Sequence, residues 1–250
     1  MEEIDNILGY KESYKIIQER DEFSFSIDST LLSFFCDIRL RETRIIDLGC
    51  GNGIIPLLLS LKTNKMIYGI EIQESSYDRC KRSVALNNLS DRIKIINDDI
   101  RNIKNIFKPS SFSLVVSNPP YFTLNECKLK NENENLKNSR HEFSITMEEI
   151  IKNASYLLKD GGSFNMVQRT ERLLETLDLL SKYKLVPKRI RFVYPKLNKD
   201  AYVFLIDARK NAKKHGLVIN EPLYIYKENG EYSSELIEYF HYGEEDEKKQ

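Results

Sequence analysis

The sequence predicts an α/β fold built on a doubly wound, largely parallel sheet. Three observations carry this expectation. Short apolar runs bounded by turn residues recur along the chain, and helix-length segments with apolar spacing separate them. Strand alternating with helix is the pattern of βαβ units. The runs are also mostly apolar throughout, as strands buried on both faces require.

The first strand is RIIDLG (44–49), followed by the apolar helix start IIPLLLSL (54–61). Pro56 is tolerated there because a helix's first turn leaves its N–H groups unpaired anyway. MIYGIEI (66–72) is the second strand and SSYDRCKRSVALNNL (75–89) its crossover helix. RIKIIN (92–97) and SLVVSN (113–118) are the third and fourth strands. The stretch 123–142 is rich in Asn, Lys and Glu and reads as a solvated insertion. Its place after a strand end also suits a substrate lid. ITMEEIIKNASYLLKDGG (145–162) reads as a helix stopped by Gly161 and Gly162, before a fifth strand, SFNMVQ (163–168). TERLLETLDLLSKY (170–183) is a further helix. RIRFVYP (189–195) and AYVFLIDAR (201–209), joined by KLNKD, form a hairpin that makes one strand of a seven-stranded mixed sheet antiparallel. Residues 216–240 add an extended piece and a short helix. The chain is expected to form one domain over 1–250, with a cap segment at 1–43, a core at 44–209 and a C-terminal extension at 210–250.

Composition narrows the function. The 250 residues are 41% hydrophobic and 30% charged, as in ordinary soluble domains. Lys+Arg and Asp+Glu both number 38, so net charge does not single out a polyanionic partner. The four cysteines, Cys36, Cys50, Cys80 and Cys127, form no CxxC pair, and there are only three His. A metal site and a disulfide framework are therefore not expected. MEEIDNILGYKESY at the N-terminus has no apolar leader core, and the longest apolar run is too short to span a bilayer. A cytoplasmic protein without a membrane is expected.

The chemistry gathers at successive strand ends. DLGCGNG (47–53) lies between the first strand and first helix, with Asp47 ahead of Gly49, Cys50, Gly51 and Gly53. Glycines two apart give a tight turn that a ligand can approach closely. No GK[ST] follows, and the third glycine comes too early for GxGxxG. Glu71 and Ile72 close the second strand about twenty residues on, where a carboxylate can accept both hydroxyls of a ribose. Asp98, Asp99 and Ile100 follow the third strand, in reach of an adenine amino group. Each acid alone reads as a turn residue; a glycine loop and acids on three successive strand ends describe a nucleoside-shaped cleft. The fourth strand then ends in Asn118, Pro119, Pro120, Tyr121 and Phe122. Two prolines cannot continue a central ladder, so Asn118 and Tyr121 are held stiffly where open α/β sheets bind ligands. The plainer alternative is a strand-terminating turn.

DLGCGNG, GIEI, NDDI and SNPPY, in this order and spacing, resemble the S-adenosylmethionine-dependent class I methyltransferases, whose fold is Rossmann-like. The NPPY form is similar to the branch that methylates planar nitrogens. FSFSIDSTLLSFF (23–35), SRHEFSITMEEIIKNASYLLKDGGSF (139–164) and LVINEPLYIYKENGEYSSELIEYF (217–240) resemble the bacterial tRNA1(Val) adenine-N6 methyltransferases, which modify adenine 37 beside the anticodon. The resemblance implies S-adenosylmethionine as cofactor, held by Asp47, Gly49, Cys50, Gly51, Gly53, Glu71, Ile72, Asp98, Asp99, Ile100 and Asn118. It implies that Asn118, Pro119, Pro120 and Tyr121 are catalytic, with Tyr121 and Phe122 against the extruded base. The segment around Phe25 and Asp28 covers the cofactor in such relatives, while capping of a helix by Asp28 or Ser26 is the alternative.

A tRNA partner requires phosphate contacts. The basic stretches KYKLVPKRIRF (182–192) and RKNAKKHG (209–216) are the best footprints, with Lys188, Arg189, Arg191 and, from the polar loop, Arg140 as candidates. A monomer is favoured. Three rivals remain. Release-factor glutamine-N5 methyltransferases share NPPY but carry an N-terminal helical domain, and the 43 residues before Arg44 are too few for one. A ribosomal RNA base methyltransferase and a non-catalytic RNA-binding protein of the same fold are the others.

Overall fold

The structure, a computed structural model, describes residues 1–10, 13–19, 27–38, 44–119 and 145–244. The loop expected at 123–142, together with Pro120, Tyr121, Phe122, Arg140, Phe25, Ser26 and Cys127, lies outside the described residues.

The chain opens with a hairpin that the sequence did not announce. β1 (Glu2–Asn6) and β2 (Lys15–Glu19) pair antiparallel in a sheet of their own. Helix α1 (Ile27–Phe35) follows. The main sheet then builds up through β3 (Arg44–Leu48), α2 (Ile54–Lys62), β4 (Met66–Glu71), α3 (Glu74–Leu86), β5 (Ile93–Asn97), the short α4 (Ile103–Ile106) and β6 (Phe112–Ser117). Its second half holds α5 (Met147–Leu157), β7 (Leu158–Arg169), α6 (Leu173–Lys182), β8 (Leu185–Tyr194) and β9 (Val203–Lys210). Two-residue strands β10 (Val218–Ile219) and β11 (Leu223–Tyr224) and helix α7 (Ser234–Phe240) complete the described chain.

The order is β10-β8-β9-β7-β6-β3-β4-β5, with β11 also beside β8. The seven strands β3 to β9 are the mixed sheet expected from the sequence, and β9 runs antiparallel to both its neighbours. The two extra strands pair parallel with β8 at one margin. Burial on both faces explains the apolar runs. Ile45 belongs to a core shared with α1 and α2, while Ile46 and Leu48 belong to one shared with α5 and α6. Helices therefore lie on both faces of the sheet, as double winding requires.

Two boundaries differ from expectation. The helix at 145 ends at Leu157, four residues before the glycines, and β7 begins at once. Gly161 turns the chain at φ 74°, and a Cβ on Gly162 would stand 2.9 Å from the Lys159 carbonyl. The glycines thus shape an irregularity where pairing shifts between Phe112 and Leu114, rather than stopping a helix. β8 likewise starts at Leu185 rather than Arg189, because its register shifts around Pro187 and lets the strand pass the missing donor.

Helix α1 is fastened at both ends. Lys62 Nζ donates to the carbonyls of Ser33, Phe34 and Cys36 at 3.0, 3.2 and 2.6 Å. Arg189 donates to the Phe35 carbonyl, its guanidinium 4.1 Å from the Phe35 ring centroid. These cations satisfy carbonyls that a helix end leaves orphaned and complement its dipole. In the first turn Tyr202 donates its hydroxyl to Asp28 Oδ1 at 3.0 Å.

Two glycines of the first strand–helix turn separate backbone strain from crowding. Gly51 (φ 52°) has open space where a Cβ would go, whereas a Cβ on Gly53 (φ 90°) would collide with Cys80 Sγ. Gly51→Ala is expected to cost only the left-handed strain, about 1–2 kcal/mol. Gly53→Ala adds overpacking of about 1–3 kcal/mol. Denaturant unfolding of the two variants checks this, and equal losses would contradict the crowding at Gly53.

Candidate active site at the carboxyl edge

Parallel pairing aligns the strands that carry the chemistry. Asp47 on β3 stands opposite Gly69 on β4 and Val116 on β6, so the three strands end at one edge. Open α/β sheets bind ligands outside such carboxyl ends. The structure brings together there Asp47, the 49–53 loop, Glu71, Ile72, Asp98, Asp99, Ile100, Asn118 and Pro119.

The loop is held by the neighbouring strand: Gly49 and Cys50 both donate their N–H to the Ile70 carbonyl, at 2.9 and 3.1 Å. Gly49, Gly51 and Gly53 all have positive φ, which keeps this turn close and free of side chains. Cys50 is buried. A hydrogen bond with Cys80, and then burial, push its thiol well above the usual range, which marks it as packing rather than a nucleophile. A Cβ on Gly49 would touch Ile100 Cδ1 at 4.0 Å, so the buried Ile100 side chain walls the loop.

Two buried carboxylates face this turn. Asp47 is 0% exposed, and neither carboxylate oxygen has a hydrogen-bond partner among the described residues. Burial first, and the Glu71 charge second, raise its pKa well above the ordinary carboxylate range. Glu71 accepts the Gly51 N–H at 2.9 Å and the Gln73 N–H at 2.8 Å. Burial raises its pKa, and backbone donors from Gln73, Gly51 and Ile72 oppose the rise. Each Glu71 oxygen retains acceptor capacity beyond these bonds.

The pair after β5 is differently employed. Asp98 Oδ1 accepts the Asp99 N–H at 2.7 Å and the Asn102 amide at 2.8 Å. Asp99 accepts the backbone and side-chain N–H groups of Arg101 at 2.8 and 2.7 Å, capping a short helical turn. Desolvation pushes the Asp99 pKa up, and the bonds and charge of Arg101 more than offset it, leaving it lowered. Ile72 lends its carbonyl to Asn97 at 3.3 Å.

Past β6, Asn118 is half-buried and Pro119 buried. The Asn118 amide nitrogen donates to Ser29 Oγ on α1 at 2.9 Å. Asp28 sits inside the first turn of α1 rather than at its cap, and is buried against Tyr202.

The described basic candidates, Lys188, Arg189 and Arg191, do not join this edge. β8 ends at the site edge with Tyr194, so Lys188, six residues back, lies roughly 20 Å from that end at strand rise. Lys188 Nζ donates to the carbonyls of Lys213 and His215, and Arg189 closes α1. Arg191 grips Glu235 of α7 through two nitrogens and donates to the Glu221 carbonyl at 3.0 Å. These three cations stitch the C-terminal extension and α1 to β8. The turn at the site edge of this hairpin instead exposes Lys196 and Lys199, which the basic runs in the sequence did not single out.

The raised acids fix a pH dependence. A carboxyl with a folded pKa above its unfolded one holds its proton longer when folded, so stability falls as pH rises through that window. In the protein without ligand, the contribution of Asp47 and Glu71 to stability should fall from the ordinary carboxylate range upward. Asp47→Asn should flatten that loss and raise Tm at neutral pH, at roughly 2–4 °C per kcal/mol recovered. Calorimetry over pH checks this; a variant that tracks the wild-type curve would contradict it.

Comparison with known proteins places this edge in context. A protein from Bacteroides thetaiotaomicron described as a tRNA1(Val) (adenine(37)-N6)-methyltransferase is 30% identical over 164 residues, 65% of this chain and 66% of its own. The crystal structure of a predicted O-methyltransferase from Agrobacterium tumefaciens superposes with a TM-score of 0.64 at 18% identity, covering 86% of this chain and 95% of the other. Geranyl diphosphate C-methyltransferase from Streptomyces coelicolor A3(2), solved with S-adenosyl-L-homocysteine, superposes at a TM-score of 0.55 and 12% identity, over 74% of this chain and 77% of the other. Both share the fold. The model of the methyltransferase small domain matches residues 26–193, which include every strand from β3 to β7, the glycine loop and Asn118, and the chain belongs to that family.

Proposed function

We propose that this protein transfers a methyl group from S-adenosylmethionine to the N6 amine of an adenine in tRNA, with adenine 37 of tRNA1(Val) as its target. The observation that carries the reading is the placement of Asn118 and Pro119 on the same sheet edge as the glycine loop and Glu71. The name of the relative from Bacteroides thetaiotaomicron supports the choice of substrate.

The residues fit such a cofactor. The glycine loop has room at Gly51 for a ligand's backbone approach. Glu71 keeps acceptor capacity for a pair of ribose hydroxyls, and Ile100 offers an apolar wall to a flat base. Asp47 contributes unpaired acceptor oxygens, which suit a cationic ligand. When bound, the sulfonium supplies an electrophilic methyl group and a neutral thioether leaving group.

The protein's own share is positioning and polarisation. An exocyclic amine is a poor nucleophile because its lone pair is delocalised into the ring. Two acceptors aimed at its hydrogens, Asn118 Oδ1 and the Pro119 carbonyl, favour a pyramidal nitrogen with its lone pair directed outward. The positive charge that the amine nitrogen would gain on accepting the methyl group would be stabilised by the same two acceptors until its proton leaves for water. A rigid Pro119 keeps both acceptors in place. Tyr121 and Phe122, which follow in the sequence, are proposed to flank the extruded base.

Methyl transfer from labelled S-adenosylmethionine tests the proposal, with unmodified tRNA transcripts and a release factor offered in parallel. Label is expected as N6-methyladenosine in valine tRNA, and Asn118→Ala is expected to cut it roughly 100- to 1,000-fold, the usual effect of losing a charge-stabilising group. Label on protein glutamine, or none on tRNA, would overturn the assignment.

A further inference from the structure

We propose that Ser29 is a positioning residue for methyl transfer, setting the orientation of the Asn118 amide. The proposal rests on the N6-methyltransferase reading and deepens it. The Asn118 amide nitrogen donates to Ser29 Oγ at 2.9 Å, joining two elements 89 positions apart in sequence. Ser29 is 6% exposed, so water competes little for this bond.

The chemistry makes the orientation matter. The terminal torsion of Asn is broad and two-fold, so the partners of the amide decide which flip it takes. One flip presents the carbonyl oxygen to the substrate amine; the other presents N–H, a donor facing donors, and cannot polarise it. Because the amide is planar, Ser29 Oγ acting as acceptor for its nitrogen, rather than as donor to Asn118 Oδ1, holds the oxygen on the opposite side. Ser29 can hold it only if α1 is stiff. Lys62 and Arg189 grip the far end of α1, and Tyr202 binds Asp28, the residue directly before Ser29. The fastening of α1 is thereby transmitted to the group that polarises the amine.

Three readouts test the proposal: kcat and KM with tRNA, the same in an Asn118→Ala background, and the Asn118 side-chain amide signals in ¹⁵N NMR of the protein alone. Ser29→Ala is expected to lower kcat roughly 10- to 100-fold, as small misplacements of a reacting group do. The KM values should stay unchanged, the loss should vanish in the Asn118→Ala background, and the Asn118 amide signals should shift. Ser29→Thr, which keeps the hydroxyl, should restore most of kcat and guards against a folding defect in the Ala variant. An active wild type with an unaffected Ser29→Ala would overturn the role of Ser29 alone. A loss that persists beside Asn118→Ala, or that falls on KM, would overturn it equally. A wild type inactive on adenine in RNA would overturn the N6 reading and this role with it.

Discussion

The parallel register of β3, β4 and β6 is the constraint on which the rest depends. A parallel ladder ends its strands together, and here it ends them on Asp47–Leu48, Glu71 and Ser117. None of these residues would meet another in an extended chain. The glycine loop then folds back under two N–H bonds to Ile70, so β4 positions the loop that leaves β3. A slip of one residue would turn Asp47 and Ile46 to opposite faces and exchange a carboxylate for core. Two-sided burial of Ile45, Ile46 and Leu48 resists that slip, because both faces have packed helices to satisfy.

The same burial leaves polar groups in costly places. Asp47 and Glu71 sit in a low-dielectric turn, and their acidity shifts upward in consequence. A fold optimised for stability alone would place apolar residues there. A ligand that pairs with these acceptors would stabilise the folded state by mass action, and its affinity and the fold's stability would then be linked through the same two side chains. Helix α1 shows the converse arrangement, with its terminal carbonyls satisfied by Lys62 and Arg189 and its first turn resting on Tyr202 and Asn118.

Much of this was legible in the sequence, for identifiable reasons. The strands β3, β4 and β6 announced themselves because two-sided burial makes them apolar, and β5, at the sheet margin, through its three isoleucines. The candidate site could be proposed from the sequence because glycines, acids and NPPY fall in order at what it predicts to be strand ends. The β1–β2 hairpin was not, since EEIDN is polar and exposed and lacks the pattern of a buried strand. Gly161 and Gly162 misled because a glycine pair ends a helix as readily as it kinks a strand. The employment of Lys188, Arg189 and Arg191 was hidden for a topological reason. A run of cations shows charge, but only the antiparallel pairing of β8 with β9 shows that Lys188 lies well back from the site edge. Ser29 carried no signal either, because its partner lies far along the chain.

The most direct measurement is a crystal structure with S-adenosylhomocysteine bound. The account predicts the adenosyl group along the carboxyl edge between the glycine loop and Ile100, with the Glu71 carboxylate on the ribose hydroxyls. Ligand bound at another edge of the sheet, or at this edge without Glu71 on the ribose, would contradict it.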